Sequence, residues 1–455
     1  MTNKTDYIRK FYHGVWYPFL VAALVFAGHA TGLDVAFVCA VLLSALPGLF
    51  VMHDAEFLIA PFMMTAFTVS ARHFDPSATD YHYERFLEKP WSVPFFCTVG
   101  VVIAALAYFM VRNRRGANRL NRRSPIFLSL VVLCGVMLFN GVFNPIYTPK
   151  NLLFVVIFAA STLFVYLFFA LYGNFDRRSI DRFFFCLVIT GVLVLAELVF
   201  AFFTRVRFED GGIVKESVVV GWGVWTSIGG MLAFLLPAPF YFARWHRNGW
   251  VFFLIGLALF AGAFSSQSRG ALLVGGAVLL VSLVLVCAGG SNRKQNRLFT
   301  TFVAVALAVG ALLMSRRMGT FVRNFAEYGL NDNGRFALWK AGWKHFLEYP
   351  VFGSGFYDSA HGDWNFVFYP YFYHNTLVQM LASCGAVGLL AYLWHRAMTV
   401  RLVFTRRNVE KAFLGACILG LLLFGLVDVQ FFKTYPTVLY AQMLVYMEMS
   451  NRKAE

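Results

Sequence analysis

The sequence predicts an all-α protein, a polytopic bundle of 12–14 membrane-spanning helices with both termini on one side and one long loop on the other. Three observations carry that expectation. Of 455 residues, 59% are hydrophobic and 14% are charged, whereas a soluble domain carries about 25% charged residues. Mean hydropathy is +0.64. Apolar runs near the roughly 20-residue length that crosses a bilayer recur along the whole chain. A water-soluble globule of this composition has too little polar surface to cover itself, so a soluble core, a disordered chain and a disulfide scaffold are all excluded.

The runs fall in order. The first, 14–30, follows a short basic segment. The next two, 35–52 and 55–71, are separated only by His53 and Asp54, and Pro61 interrupts the second of them. They read either as two spans or as a re-entrant pair, which sets the range of the count. Runs 91–111 and 125–142 flank an arginine-rich loop, and 151–173 and 183–203 flank residues 174–182. Runs 218–243 and 250–267, then 270–290 and 299–315, form two further hairpins. After a long segment, 316–374, come 375–394, 412–431 and 437–449. The chain divides at 203–204 into N-terminal transmembrane helices (1–203) and a C-terminal region (204–455) that holds the long loop.

Basic residues orient the bundle. Arg112, Arg114, Arg115, Arg119, Arg122 and Arg123 crowd one short loop, which the positive-inside rule places in the cytoplasm. Alternating outward puts 1–13, 174–182, 244–249, 291–298, 395–411 and 450–455 on the same face. That face then holds 24 of the 39 Lys and Arg with 6 acids, and the other holds 15 with 13 acids. The net charge of +16 is therefore a membrane-topology signal. No stretch interleaves Lys/Arg with aromatics on a soluble domain, so nucleic acid is not a partner. The partner surface is the lipid bilayer.

The outer face holds the loop 204–217, a Ser-rich turn near 265–270, and residues 316–374. Within the last, Phe336, Trp339, Trp343 and Phe346 recur every three or four residues. This spacing predicts an amphipathic helix over 334–349 lying in the interface, with Arg335, Lys340 and Lys344 toward headgroups and Pro350 ending it. Arg269, in Ser265-Ser266-Gln267-Ser268-Arg269-Gly270, sits among small hydroxylated residues at the outer end of two apolar runs. A guanidinium there matches phosphate oxygens through its planar fork of donors, against the plainer reading of an interfacial anchor. His374, followed by Asn375, ends the long loop on the same face, where a neutral imidazole takes a proton from a hydroxyl. Its plainer reading is a structural histidine at a helix start. Gly385 and Gly388 in the next run read as sites of close approach for a neighbouring helix. Arg205, Arg207 and Arg335 are further phosphate candidates. Asp358, His361 and Asp363 match no metal-ligand spacing, and no metal is expected. Glu197 and Asp428 read as acids within spans, which makes them functional candidates by default.

These motifs resemble the O-antigen ligase and polymerase family of bacterial envelope glycosyltransferases. The resemblance rests on Gln267-Ser268-Arg269-Gly270 with its following helix, and on Gly334-Arg335 leading through Trp339 to Pro350 and Gly353-x-Gly355. Its most specific part is His374-Asn375, then nine residues, then Gly385-x-x-Gly388. It covers roughly 260–395, with a looser likeness at 221–236; the N-terminal half is similar only in being a string of helices. The resemblance implies a metal-independent, cofactor-free, inverting enzyme of the bacterial inner membrane, with its site on the extracytoplasmic face. It implies an undecaprenyl-diphosphate-linked glycan as donor, and a glycan, lipid or protein hydroxyl as acceptor. Arg269 then binds the diphosphate, joined by Arg205, Arg207 or Arg335, with Ser268, Asn375, Gly385 and Gly388 supporting the motifs and His374 acting as base. Polymerisation and ligation share these motifs. The competing reading is a carrier or flippase for lipid-linked glycans, which predicts charged groups around a central cavity and two related halves; here the polar groups gather at one face.

Overall fold

The structure, a computed structural model, describes residues 2–65, 72–74, 81–83, 91–209, 212–214, 217–221, 223–313, 334–357 and 372–449. Among the described residues it is an all-α bundle whose strands pair as three two-stranded antiparallel hairpins. The helices are α1 Thr2–Tyr12, α2 Trp16–Thr31, α3 Asp34–Val51, α4 Ile59–Met64, α5 Ser92–Asn113, α6 Pro125–Met137, α7 Lys150–Ala159, α8 Val165–Tyr172 and α9 Arg177–Thr204. They continue as α10 Trp225–Leu235, α11 Pro237–Ala243, α12 Gly249–Ser265, α13 Arg269–Cys287, α14 Arg293–Leu313, α15 Arg335–Glu348, α16 Thr376–Phe404, α17 Val409–Phe424 and α18 Thr434–Met449.

Each apolar run carries helix, but the helices differ in length for local reasons. Among the described residues seven are long and apolar enough to cross a membrane, or eight if α1 and α2, which meet at 64°, form one span. These seven include α7 and α8 joined through a π-helical stretch, Ala160–Phe164. The run 125–142 helps to explain the spread. Its helix stops at Met137, because Gly141 turns in the left-handed region (φ 68°) and donates its N–H to the carbonyl of Phe352 at 3.0 Å. In 55–71 the described part is a single 3-10 turn, Glu56–Leu58, and α4.

Among the described residues, the most deeply buried candidate span is also the least apolar. The stretch Trp225–Ala243 has mean hydropathy 1.4 and is 94% buried, whereas α5 has 2.2 and is 17% buried. Helices facing lipid must be apolar all round, while an enclosed helix finds polar partners inside the protein. α18 is likewise buried along nearly its whole length.

Loops read from the sequence as lying on one face do meet. At the arginine-rich end, Arg182 pairs with Glu56, Arg177 with Glu410, and Tyr241 donates to Asp181 at 2.6 Å. At the opposite end, Asn144 donates to the carbonyl of Ser354 at 2.9 Å. There, too, Asn151 accepts from the N–H groups of Phe356 and Tyr357 at 2.7 and 2.9 Å. His13, Asp54 and Glu56 bring three metal-capable atoms within 4.8 Å of one another at the arginine-rich end. The Arg182 guanidinium already supplies a cation there, meeting both Glu56 and His13 Nδ1.

Two expectations change. Asp428 lies beyond the end of α17, in the turn that follows Phe424, so it is not within a span. α16 runs past the apolar stretch ending at 394 as far as Phe404, so His395 and Arg396 lie inside the bundle and not in a loop. His395 is fully buried between Ser129 Oγ (2.9 Å) and the Tyr440 hydroxyl (2.8 Å). The Arg396 guanidinium lies 3.8, 4.7 and 4.9 Å from the ring centres of Phe431, Tyr392 and Tyr440. Hydropathy ends the run early because it cannot register these cation–π contacts, which offset part of the burial cost.

Candidate active site at one end of the bundle

The site begins with a backbone splice. The N–H of Thr376 donates to the carbonyl of Gly425 at 2.7 Å, and Asn375 Nδ2 donates to that of Leu426 at 3.0 Å. Asn375 also caps α16, its side-chain oxygen accepting from the N–H groups of Leu377 and Val378. Asn suits this position because its short amide satisfies orphan N–H groups at the helix start while keeping donors for a second strand of chain. The residue before it, His374, is held at φ +51°. Such a conformation costs a non-glycine residue roughly 1–2 kcal/mol, and it persists here because the splice fixes both neighbours.

That backbone places His374 Nδ1 3.2 Å from Asp428 Oδ1. The other carboxylate oxygen accepts from Lys433 Nζ at 3.1 Å and Gln430 Nε2 at 3.2 Å. The Val429 N–H donates to Oδ1 at 2.8 Å. Burial by itself raises the Asp428 carboxyl; the Lys433 ammonium, the His374 hydrogen bond and the Val429 N–H outweigh it and hold the group well below the usual carboxylate range. An ionised carboxylate only accepts, so Nδ1 is the nitrogen that carries a proton, and in the neutral tautomer Nε2 presents the lone pair. The His374 side chain is 46% exposed and that of Asp428 is 4% exposed. One end of the pair therefore meets an incoming group while the other is locked.

The Ser-rich turn packs against the same segment. Ser266 and Gln267 (φ 61°) reverse the chain, and Ser268 caps α13 by accepting from the Ala271 N–H at 3.2 Å. A Cβ on Gly270 would lie 2.9 Å from Val427, one residue before Asp428. A Cβ on Gly229 would lie 2.3 Å from Ser266 Oγ. Two residues earlier, Ser227 accepts from Lys433 at 2.9 Å. α10, the 266–270 turn and the 425–433 segment thus form one wall, with the exposed Arg269 at its edge.

The glycine motif acts differently from the sequence expectation. Gly385 (φ 66°) breaks α16, and a Cβ there would lie 2.3 Å from the carbonyl oxygen of Val351. It receives the chain leaving α15, not a helix. The neighbouring Ala386 N–H donates to Pro350 O at 2.9 Å, and the N–H groups of Ser354 and Gly355 donate to the carbonyls of Ala382 and Ser383. At Gly388 the atoms nearest an added Cβ belong to Cys384 and Met380 of the same helix. α15 docks on α16 through Gly342, whose Cβ would lie 2.6 Å from Val378, and His345 bonds Tyr373, next to His374. Phe336 and Trp343 remain exposed.

The other arginines are spread out. Arg205 caps α9 and donates to the carbonyl of His29 at 2.8 Å. Arg207 begins the hairpin that follows, its guanidinium 4.0 Å from Glu209. Arg335 opens α15. Asp358, His361 and Asp363 lie outside the described residues. Sequence reasoning flagged Asp428 as an acid in an apolar stretch but did not join it to His374, and it passed over Lys433. The available signal was an acid followed five residues later by a Lys in otherwise apolar chain.

Residues 253–393 match the family model described as O-Antigen ligase. No curated protein matches the chain. The family match covers the 266–270 turn, α15, His374-Asn375 and Gly385-x-x-Gly388, the stretch over which the motifs resemble that family. It supports a multi-pass membrane protein that works in glycan ligation or polymerisation.

Proposed function

We propose that the chain is a metal-independent, inverting glycosyltransferase that moves a glycan from undecaprenyl diphosphate to an acceptor hydroxyl. The observation that carries the reading is the His374–Asp428 pair, locked by Lys433 and set against the Arg269 turn. His374 Nε2 removes the hydroxyl proton as the acceptor oxygen bonds to the anomeric carbon. The carbon–oxygen bond to the diphosphate breaks on the opposite face, and the diphosphate leaves with the electron pair. Asp428 stabilises the imidazolium that forms. Arg269 offsets charge on the leaving group, with Arg205, Arg207 and Arg335 as further candidates. The catalytic part is residues 204–455, and the site faces the extracytoplasmic side of the bacterial inner membrane. The polyprenyl tail stays in lipid.

The test is a purified-protein assay with lipid-linked glycan, an acceptor and a metal chelator. Release of one lipid diphosphate per glycan joined, with inverted anomeric configuration, is expected. Movement of intact lipid-linked glycan across proteoliposomes without cleavage would overturn the reading in favour of a carrier. The glycan profile of a deletion strain separates the two products. One repeat retained on the acceptor means polymerase, and loss of all transfer means ligase.

A further inference from the structure

Arg396 is buried inside the bundle. Among the described residues no carboxylate pairs with its guanidinium, whose three nitrogens are shielded from solvent. What faces it is aromatic: the ring centres of Tyr392, Phe431 and Tyr440 lie 4.7, 3.8 and 4.9 Å away. Two of these rings are fixed independently. The Tyr440 hydroxyl is held by His395 Nε2 and Thr399 Oγ1, both at 2.8 Å, and Tyr392 lies one turn back on α16. Burying a cation is costly, and ring faces offset only part of that cost. A methionine of similar length would fill the same space without desolvating a charge. Packing alone does not account for a guanidinium here.

The third ring, Phe431, is the middle residue of the 3-10 turn Gln430–Phe432, and that turn delivers the partners of Asp428. Gln430 Nε2 and Lys433 Nζ both donate to Asp428 Oδ2, at 3.2 and 3.1 Å. Around the turn the contacts are ring on ring: Phe431 with Phe158 (centres 5.4 Å apart), and Phe432 with Phe356 and Phe158 (5.4 and 5.9 Å). Rings pack on one another in several arrangements of similar energy, whereas a cation is drawn to the negative face of a ring and selects it. α16 thereby grips the 425–433 segment twice, through the Thr376 N–H on the Gly425 carbonyl and through Arg396 on Phe431. Gly385 breaks the helix between these points, so the first grip does not impose the second.

We propose that Arg396 is a positioning residue for the His374–Asp428 pair: through the face of Phe431 it fixes the 3-10 turn that brings Gln430 and Lys433 to the Asp428 carboxylate. It acts through Asp428 and not on the reacting groups. The inference deepens the glycosyltransferase reading and rests on His374 as its base.

The test uses the full chain in detergent. In the transfer assay Arg396→Met should lower kcat by roughly tenfold with KM unchanged, and Arg396→Lys, which keeps the cation, should recover most of that loss. The Tm of Arg396→Met should equal or exceed that of wild type, because apolar volume replaces a buried charge. A fall in activity that only tracks a fall in Tm overturns the inference. In an Asp428→Asn background Arg396→Met should change kcat by less than about twofold; the full loss in that background overturns it too. Hydrogen–deuterium exchange, read by mass spectrometry, does not depend on catalysis. Arg396→Met and Phe431→Leu should each speed exchange across 425–433, where the Val429 N–H is bonded to Asp428 Oδ1, and leave α12 as in wild type. Unchanged exchange across 425–433 overturns the inference. If Arg396→Met fails to fold, Phe431→Leu breaks the same contact from its other side and decides by the same readouts. If the wild-type chain transfers no glycan, the glycosyltransferase reading falls, and exchange still decides whether Arg396 holds the turn.

Discussion

The two ends of the bundle both pair cations with buried acids, to different effect. At the His374 end, one ammonium, Lys433, is committed to one buried carboxylate, and the product of that pairing is an oriented imidazole. At the other end, Arg182 pairs with the buried Glu56 and Arg177 with Glu410, which ties separate segments of chain together. The first arrangement orients a half-exposed imidazole; the second joins segments of chain. The same residue types therefore serve positioning of a ring in one place and packing of loops in the other.

The contrast of greatest amplitude is topological. In a background lacking native Cys, Arg115→Cys and Ile146→Cys should label from opposite sides of the membrane with an impermeant thiol reagent. Labelling of both from one side would break the assignment of two ends to two compartments. Next in size, His374→Ala should keep expression and donor binding while turnover falls by roughly 10²–10⁴-fold. His361→Ala is the control, and equal losses in both variants would return His374 to a structural role.

Smaller effects sharpen the comparison. Asp428→Asn keeps the shape but removes the charge that fixes the ring, so turnover should fall by about 10–100-fold. Combined with His374→Ala the loss should be far less than additive in free energy, since the two act as a unit. Additive losses would mean that the pair is not coupled. Arg269→Lys keeps charge and loses the fork, and activity should drop by roughly tenfold or more; turnover near wild type at equal expression would make Arg269 an anchor. The smallest effect is with pH. Because the folded-state Asp428 carboxyl is depressed, its contribution to stability is fully present above the unfolded value, about pH 4. It is lost only as pH falls through the lower folded value. The stability owed to this carboxyl should therefore begin to fall only below about pH 4, and an acid-side loss of Tm that Asp428→Asn leaves unchanged there would contradict the geometry.

Much was legible from residues alone. The membrane class and the order of the helices followed from hydropathy, and the grouping of loops by face followed from Lys and Arg. The amphipathic helix emerged at Arg335–Glu348, near its expected 334–349. These are sums over neighbouring residues, and a bilayer responds to such sums. His374-Asn375 and the Ser-rich turn were found as motifs, though their shared wall was not.

The sequence by itself determined that the chain lives in a membrane, which stretches cross or approach it, and which short segments carry polar chemistry. The tertiary structure alone decided that His374 meets Asp428, 54 positions away, that Gly385 admits a backbone and not a helix, and that Arg396 is buried under three rings. The physical reason is that lipid and protein interior are both apolar. Hydropathy therefore cannot separate a residue facing acyl chains from one facing another helix. A hydrogen bond is set by angles and by distances of about 3 Å between chain segments that only the packed bundle brings together.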